Sequence, residues 1–302
     1  MTDSVNRVKT VAITGATGLL GRYLCDYFYS QGWRVNALVR DVSKYPFQSK
    51  GINTFTCILP DSVDTKSIEK ADVLIHCAYM TRFTNLEEAK RINEDGTAMI
   101  LKKARDAGIK RFVFISSRAA RPHAKSYYAQ SKYRLEAMLD PSRDLIVRPG
   151  FILASDGGLF YRIVNQVKRL PVVPVFGGGH QILNTIHIED LCKILEWALE
   201  KEICGVITVA EPEGITMKEL LSAVLGQLGQ NKMILSVPGR PIIWLLQLLE
   251  TFKLRLPVSS ENLRGLLNRE DMGEACSDSV RQSGINIRHA RESIQGLIHE
   301  LK

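Results

Sequence analysis

Residues 8–21 read Val8-Lys-Thr-Val-Ala-Ile-Thr-Gly-Ala-Thr-Gly-Leu-Leu-Gly21. An apolar run rich in β-branched residues ends at Gly15, which predicts a buried strand. The next stretch, 19–31, predicts a helix that Gly32 closes. The chain therefore begins with a strand, a glycine-rich turn and a helix.

The three glycines of that turn are spaced three residues apart. Gly15 permits a tight turn, Gly18 lets the backbone approach a pyrophosphate, and Gly21 lets the helix pack closely on the strand. Free N–H groups at the helix start can then bind phosphate oxygens. We predict that the turn binds a dinucleotide, and the alternative is a purely structural glycine turn. The predicted cofactor-binding residues in the turn are Gly15, Thr17, Gly18, Leu19, Leu20 and Gly21.

Short apolar strands alternate with helical stretches along the first half of the chain. The predicted strands are 34–39, 53–59, 72–77, 111–115 and 144–148, and the predicted helices are 86–107 and 126–139. This alternation is typical of parallel βαβ units. We therefore predict an α/β fold with a doubly wound parallel sheet of the Rossmann type.

Beyond Gly150 the pattern loosens. We expect a strand over 182–188, a helix through 199 with Asp190 as its N-cap, a strand over 206–210 and mostly helix from Thr216. The apolar stripe Ile242–Leu249 predicts a lid or core helix, with a membrane-surface helix as the alternative. The predicted division is a Rossmann core over 1–150 plus about 182–210, and a smaller substrate-binding lobe over about 151–181 and 211–302.

Composition excludes several classes of protein. The 302 residues are 45% hydrophobic and carry a net charge of +8, which are ordinary globular proportions. Six scattered cysteines without a CxxC pair indicate a reducing compartment, so we expect a cytoplasmic protein and no metal site. The apolar runs are too short for a signal peptide or a membrane span, so we expect no membrane partner.

The positive charge is concentrated between Lys102 and Arg134, where ten basic residues accompany one acid, Asp106. A solvated basic face, a site for a phosphorylated small molecule and a nucleic-acid surface are all compatible with this charge. The chain has no nucleic-acid-binding signature, so we expect no nucleic-acid partner.

The end of the second strand indicates which dinucleotide binds. An acid there hydrogen-bonds the ribose 2′-hydroxyl of NAD, whereas an arginine accommodates the 2′-phosphate of NADP. The run is Ala37-Leu-Val-Arg-Asp41, so Arg40 favours NADP(H). NAD(H) stays possible if Asp41 turns inward to hold the ribose.

Tyr128-Ala-Gln-Ser-Lys132 places a phenol and an ammonium on one helix face. A nearby cation favours the phenolate, so Tyr128 could move a proton to or from a substrate oxygen. The strand upstream ends in Ser116-Ser117, where a hydroxyl could orient the same oxygen. The alternative is an ordinary surface pair on a helix.

Together these motifs resemble the short-chain dehydrogenase/reductases, in the extended or atypical branch of NAD(P)-dependent epimerases and dehydratases. The resemblance covers residues 8–200. Besides the glycine turn, Ser116-Ser117 and Tyr128-x-x-x-Lys132, it rests on Asp72–Ala78, Asn93-Glu-Asp-Gly-Thr97, Arg148-Pro149-Gly150 and Ile186–Leu191.

The resemblance implies residue roles. Tyr128 would be the acid/base, Lys132 would tune it and bind the nicotinamide ribose, and Ser117 or Ser116 would hydrogen-bond the substrate. Cys77 and Ala78 would line the cofactor, and Pro149 and Gly150 would flank the nicotinamide. A homodimer is common in the family, and His187 would cap a helix rather than act in catalysis.

The resemblance also implies a reaction class. We expect an NAD(P)-dependent epimerase, dehydratase or reductase acting on a nucleotide-sugar or related phosphorylated carbonyl compound. The loop after Ser117 is short and basic, and Arg118 and Arg121 are candidates to bind a pyrophosphate or are simply solvated. The alternative function is a non-catalytic NADP-binding regulatory or assembly protein.

Overall fold

The computed structural model describes residues 8–44, 51–238 and 274–301. Its strands are β1 Thr10–Thr14, β2 Arg34–Val39, β3 Asn53–Ile58, β4 Ser62–Val63, β5 Val73–His76, β6 Arg111–Ile115, β7 Leu145–Pro149, β8 Phe151–Leu153, β9 Val173–Phe176, β10 Ile182–Leu183, β11 Thr185–His187, β12 Gly205–Val209, β13 Ile215–Thr216 and β14 Ile234–Val237. The predicted apolar helix between Pro241 and Pro257 lies outside the described residues.

The helices of the described residues alternate with these strands. They are α1 Leu19–Ser30, α2 Leu86–Lys90, α3 Gly96–Asp106, α4 Tyr127–Glu136, α5 Gly158–Arg169, α6 Ile188–Glu200, α7 Met217–Gln227, α8 Asp278–Arg281 and α9 Ala290–Glu300. None of them is long and apolar enough to cross a bilayer.

The main sheet contains eight strands of the described chain in the order β12-β7-β6-β5-β1-β2-β3-β4. β1 pairs in parallel with both β2 and β5, so the strand order reverses at β1. β6 and β7 extend the parallel pairing on one side and β3 on the other, while the short β4 is antiparallel. The predicted doubly wound α/β fold is confirmed. In such sheets ligands bind at the carboxyl ends of the strands beside the reversal point.

The chain divides into two compact units. The first comprises the described residues of Met1–Ile115, Arg134–Val147 and Leu195–Val206, and the second those of Ser116–Tyr133, Arg148–Ile194 and Ile207–Lys302. The core of the first unit is built around Leu74, Phe112 and Phe114. The core of the second joins α5, α7 and α9 through Phe160, Leu220 and others. The predicted division into a cofactor core and a substrate lobe stays a prediction.

The predicted single helix over 86–107 is interrupted. Between α2 and α3 the residues Arg91–Asp95 form a π-helical turn. Asn93 lies in this turn, is buried, and accepts a hydrogen bond from the Met80 N–H while it donates to the Met80 carbonyl. The π-helical turn occurs where Asn93 makes these two hydrogen bonds. The apolar periodicity of residues 86–107 could not predict either feature.

The predicted strand over 182–188 is also divided. β10 is antiparallel to β13, and β11 is parallel to β8, so the chain changes partner at Asn184. Asp190, predicted as the N-cap of α6, lies instead in its first turn, because the helix begins at Ile188. The buried His187 ring accepts the Glu189 N–H at 3.3 Å, which is the capping role expected of it. Asp190 forms an ion pair with Arg288.

Asp144 makes a buried charged contact in the first unit, and loss of this contact should lower the free energy of unfolding strongly. Asp144 is fully buried and accepts hydrogen bonds from the Arg105 guanidinium and from the Asp140 N–H. Asp144→Ala leaves the arginine without its buried partner, so we expect the free energy of unfolding to fall by about 3–5 kcal/mol. Chemical denaturation measures this change.

The matched control is Asp106→Ala, which removes the exposed ion pair with Lys102 on the same helix. Its cost should be at most about 0.5 kcal/mol. Equal effects of the two substitutions would contradict the buried contact.

Candidate active site

The glycine turn of the first unit has no room for side chains at two positions. Gly15 has φ of 65°, and a Cβ there would lie 2.7 Å from the Cα of Ala78. A Cβ on Gly21 would lie 2.2 Å from the carbonyl oxygen of Gly15. The strand end, the helix start and the residue after β5 are therefore packed backbone to backbone.

The start of α1 is open toward solvent. Thr17 and Gly18 are exposed, Leu19 is half-buried and Leu20 is buried. Gly18 is the N-cap, no side chain caps the helix, and its first turn holds no acid. The N-terminal N–H groups and the positive end of the helix dipole are thus available to an anion. The turn fits the pyrophosphate of a dinucleotide.

A directed chain of hydrogen bonds holds the residues behind this turn. The Thr97 hydroxyl donates to the Asn93 carbonyl at 2.6 Å, so it must accept from His76 Nε2, 3.0 Å away. His76 Nδ1 lies 2.7 Å from the Thr14 hydroxyl oxygen, and that oxygen accepts the Ala78 N–H at 3.2 Å. His76 is therefore a hydrogen-bonded core histidine that orients Thr14 and, through it, the backbone of Ala78.

These hydrogen bonds hold Cys77 and Ala78 beside the glycine turn, where both residues are half-buried. Asn93 and Thr97 belong to a motif of the sequence, but nothing in that motif indicates that they connect to His76. The buried position of His76 in β5 was readable from the strand pattern. The hydrogen-bond partner of His76, Thr97, lies 21 residues further along the chain and could not be predicted from that pattern.

Arg40 follows β2 and differs from its neighbour in what it contacts. The Arg40 side chain is exposed and makes no hydrogen bond or ion pair within the described part of the chain. The Asp41 carboxylate is engaged locally, because Oδ1 accepts from the Ser43 hydroxyl at 2.6 Å and from the Ser43 N–H at 3.1 Å. This arrangement leaves Arg40, rather than Asp41, extended toward solvent.

The second unit contains the residues predicted to carry the chemistry. Ser117 hydrogen-bonds Tyr128, which lies at the start of α4, and Lys132 follows one helical turn later and is buried. The Ser117 hydroxyl also accepts the Ala119 N–H at 3.1 Å. Ser116 is buried as well, but the residue that bonds to the phenol is Ser117.

Burial raises the pKa of Tyr128, and the hydrogen bond from Ser117 opposes that rise. This direction is opposite to the one expected from Lys132, whose ammonium was predicted to favour the phenolate. The physical reason is that removal of water from the hydroxyl penalises the charged form more than the neighbouring donor stabilises it. Tyr128 is therefore a neutral phenol at physiological pH.

Pro149 and Gly150 lie at the end of β7 and are tied to the loop after Ser117. The Pro149 carbonyl accepts the Arg118 N–H at 3.2 Å, and the Gly150 N–H donates to Val209 at 2.9 Å. Arg118 is 8% exposed, and its guanidinium donates to Asn184 Oδ1 at 2.5 Å. The loop that begins at Ser117 is thus fixed to the strand that carries Pro149.

The basic segment Lys102–Arg134 is not one uniform charged surface. Lys102, Arg105 and Arg134 form ion pairs with Asp106, Asp144 and Glu94. Arg111 donates to the Ile203 carbonyl. A pocket of about 230 Å³ in the second unit does collect three arginines; its lining is Arg118, Ala120, Arg121, Pro122, Tyr133, Arg148 and Thr208.

Sequence comparison identifies enzymes as relatives. The model of the NAD dependent epimerase/dehydratase family matches residues 11–144. The chain is 32% identical over 241 residues to a ceramide reductase of Caulobacter vibrioides, a match that covers 77% of this chain and 75% of that protein. It is 26% identical over 254 residues to a 4-hydroxy-2-methyl-3-oxo-4-farnesyl-3,4-dihydroquinoline-1-oxide ketoreductase of Stigmatella aurantiaca, which covers 75% of each chain.

Solved structures share the fold. The UDP-glucose 4-epimerase of Thermotoga maritima, solved with UDP-glucose, superposes with a TM-score of 0.71 at 15% identity and covers 97% of this chain and 98% of its own. An identity this low supports the fold alone. The sequence relatives add the chemistry of an NAD(P)-dependent oxidoreductase or epimerase, and the chain belongs to the NAD-dependent epimerase/dehydratase family.

Proposed function

We propose that this enzyme is an NADP(H)-dependent reductase that converts a ketone on a lipid-like substrate into an alcohol. The observation that carries the proposal is the hydrogen bond between Ser117 and the neutral Tyr128 hydroxyl, with Lys132 one turn along the same helix. A neutral phenol is the protonation state that a carbonyl reduction requires, since the oxygen must gain a proton.

In the first unit, the residues proposed to bind the cofactor are the turn Gly15–Gly21, Arg40, Cys77 and Ala78. In the second unit, the residues to which the resemblance gives a cofactor-binding role are Tyr128, Lys132, Pro149 and Gly150. When bound, NADPH supplies the hydride that reduces the carbonyl carbon. Arg40 would bind the 2′-phosphate, because its planar fork of donors suits a phosphate group and no described partner competes for it.

The residues of the second unit handle the proton. With substrate bound, the Ser117 hydroxyl would donate its hydrogen to the substrate carbonyl oxygen in place of Tyr128 and so polarise the carbonyl. Tyr128 gives its phenolic proton to that oxygen, so the carbonyl becomes an alcohol and a phenolate is left. The Lys132 ammonium would stabilise the negative charge of the Tyr128 phenolate, which is otherwise unfavourable away from water. The phenolate is reprotonated from solvent.

Reduction fits the loop after Ser117 better than elimination does. Residues 118–127 contain no Asp or Glu, and their ionisable side chains other than Tyr127 are Arg118, Arg121, His123 and Lys125. A dehydratase needs a second acid/base to remove a proton from carbon and release water. A reductase needs only the hydride and one proton, and Tyr128 provides the latter.

The substrate class rests on the sequence relatives. Both reductases described above act, by name, on molecules with a large apolar part: a ceramide and a farnesyl-bearing quinoline-oxide. We infer that the ketone reduced here also carries a long aliphatic or isoprenoid chain.

A nucleotide-sugar is the second candidate substrate, and one observation favours it. Arg118, Arg121 and Arg148 line a single pocket in the same unit as Tyr128. Guanidinium groups bind phosphate oxygens through paired donors. Assays with a long-chain ketone and with UDP-glucose, run in parallel, distinguish the two classes by which one is turned over.

Arg40 should determine whether the enzyme prefers NADPH or NADH. Arg40→Ser removes a charged donor to the 2′-phosphate, so NADPH should bind about 10- to 150-fold more weakly, which corresponds to about 1.5–3 kcal/mol. NADH affinity should not change. Nicotinamide fluorescence titration measures both. Arg34→Ser, at the exposed start of the same strand, is the matched control and should alter neither affinity. A wild-type preference for NADH would contradict the assignment.

The second prediction concerns the acid. Tyr128→Phe removes the transferable proton and should lower kcat about 10²–10⁴-fold, a typical contribution of general acid catalysis. NADPH affinity should stay within a few-fold. Tyr29→Phe, at an exposed position of α1, should keep wild-type kcat. Turnover retained by Tyr128→Phe would remove Tyr128 from the mechanism, whereas loss of NADPH binding would show a structural role instead.

A further inference from the structure

One side of the small β9–β14 sheet is apolar yet faces solvent. The two strands are parallel, with Leu235 beside Pro174 and Val237 beside Phe176. Paired residues of neighbouring strands project to the same side of a sheet, and side chains alternate along each strand. We name as the apolar face the set Val172, Pro174, Phe176, Met233, Leu235 and Val237.

The two sides of this sheet differ sharply in burial. Val173 and Val175, which point the other way, are each 2% exposed and belong to the core of the second unit. On the apolar face, Met233 is 68% exposed, Leu235 51% and Val172 39%. A solvent-facing strand side normally carries polar residues. A solvent-facing side that consists only of apolar residues is typical of an interaction surface.

Cations border the apolar face. The Lys232 ammonium donates to the carbonyls of Val167 and Lys168 at 2.8 and 3.0 Å, which places it at the C-terminal end of α5. Arg169 is exposed at that same end. The chain segments around the face, residues 157–188 and 220–238, contain no Asp or Glu. Residues 157–188 and 220–238 therefore add no negative side chain to this border, and exposed Glu300 stands next to Leu301, whose carbonyl accepts a hydrogen bond from the Lys168 ammonium.

We propose that the apolar face and its basic border dock the enzyme onto an anionic lipid bilayer. The apolar side chains would enter the boundary between headgroups and acyl chains, and the exposed Arg169, with Lys232 beside it, would contact lipid phosphates. This is attachment to the bilayer surface and needs no membrane-spanning helix. It is contrary to the expectation of no membrane partner, which was drawn from the shortness of the apolar runs, and it does not depend on the proposed reaction.

The charge pattern favours lipid over a second copy of the chain. A self-complementary interface would bring like-charged borders together, which opposes association. Pro174 within β9 and Pro238 after β14 lack the N–H needed for edge-to-edge strand pairing. The face also lacks the Trp, Tyr and Arg anchors that dominate protein–protein contacts.

Flotation of the full-length protein with vesicles tests the proposal. The protein should float with vesicles of phosphatidylcholine and phosphatidylglycerol, and much less with phosphatidylcholine alone. Added NaCl should weaken the binding, because the Debye length falls from about 10 Å at 0.1 M to about 3 Å at 1 M salt.

Two variants and their controls locate the surface. Met233→Ser with Leu235→Ser should lower partitioning at least tenfold, and Arg169→Gln should lower it a few-fold. Ile58→Ser and Lys110→Gln, exposed positions in the first unit, should have no effect. Circular dichroism and thermal unfolding of each variant confirm that it is folded.

Three results would overturn the proposal. The first is no flotation with anionic vesicles. The second is flotation that the folded double variant retains. The third is a wild-type dimer in analytical ultracentrifugation that the double variant dissociates without lipid, which would assign the face to a second copy of the chain.

Discussion

The contact of Gly21 with the Gly15 carbonyl is the constraint on which the first unit depends. A methyl group at Gly21 would lie 2.2 Å from that oxygen, and one at Gly15 would strike the backbone after β5. Only glycine lets β1, α1 and β5 approach this closely. The consequence is an uncapped helix start at the carboxyl end of the central strand, beside the point where the strand order reverses. His76, hydrogen-bonded to Thr14 and Thr97, holds the end of β5 in place beside this contact.

Asn184 has a comparable role in the second unit. Its side chain accepts from Arg118 and donates to the carbonyls of Glu211 and Pro212, and its own carbonyl accepts the Phe151 N–H. One residue thus ties the loop after Ser117 to β8 and to the loop before β13. Ser117 and Tyr128 meet because both ends of that loop are fixed, one by these bonds and the other by α4.

The parts of the structure that local chemistry determines could be predicted from sequence. Strand and helix order followed from apolar periodicity, and β2 and β6 have the predicted bounds. The glycine turn could be placed because its spacing has a backbone cause. The resemblance gave Tyr128 and either Ser117 or Ser116 roles at one substrate oxygen, but it did not include the hydrogen bond between Ser117 and Tyr128. The contacts that the sequence did not predict are those between distant residues: Asn93 with Met80, Asn184 with two loops and β8, and Arg288 with Asp190. The sequence predicted a lowered pKa for Tyr128, whereas burial raises it. The spacing of Tyr128 and Lys132 indicates a neighbouring cation but says nothing about how much water the hydroxyl loses.

The central claim is that hydride and proton are added to a ketone with net consumption of NADPH. The most direct measurement uses NADPH deuterated at nicotinamide C4 with a long-chain ketone, followed by mass spectrometry of the product and assay of NADP⁺. The account predicts one deuterium on the new carbinol carbon and one NADP⁺ per alcohol formed. A product isomeric with its substrate, formed without net NADP⁺, would contradict it and indicate an epimerase that recycles its cofactor.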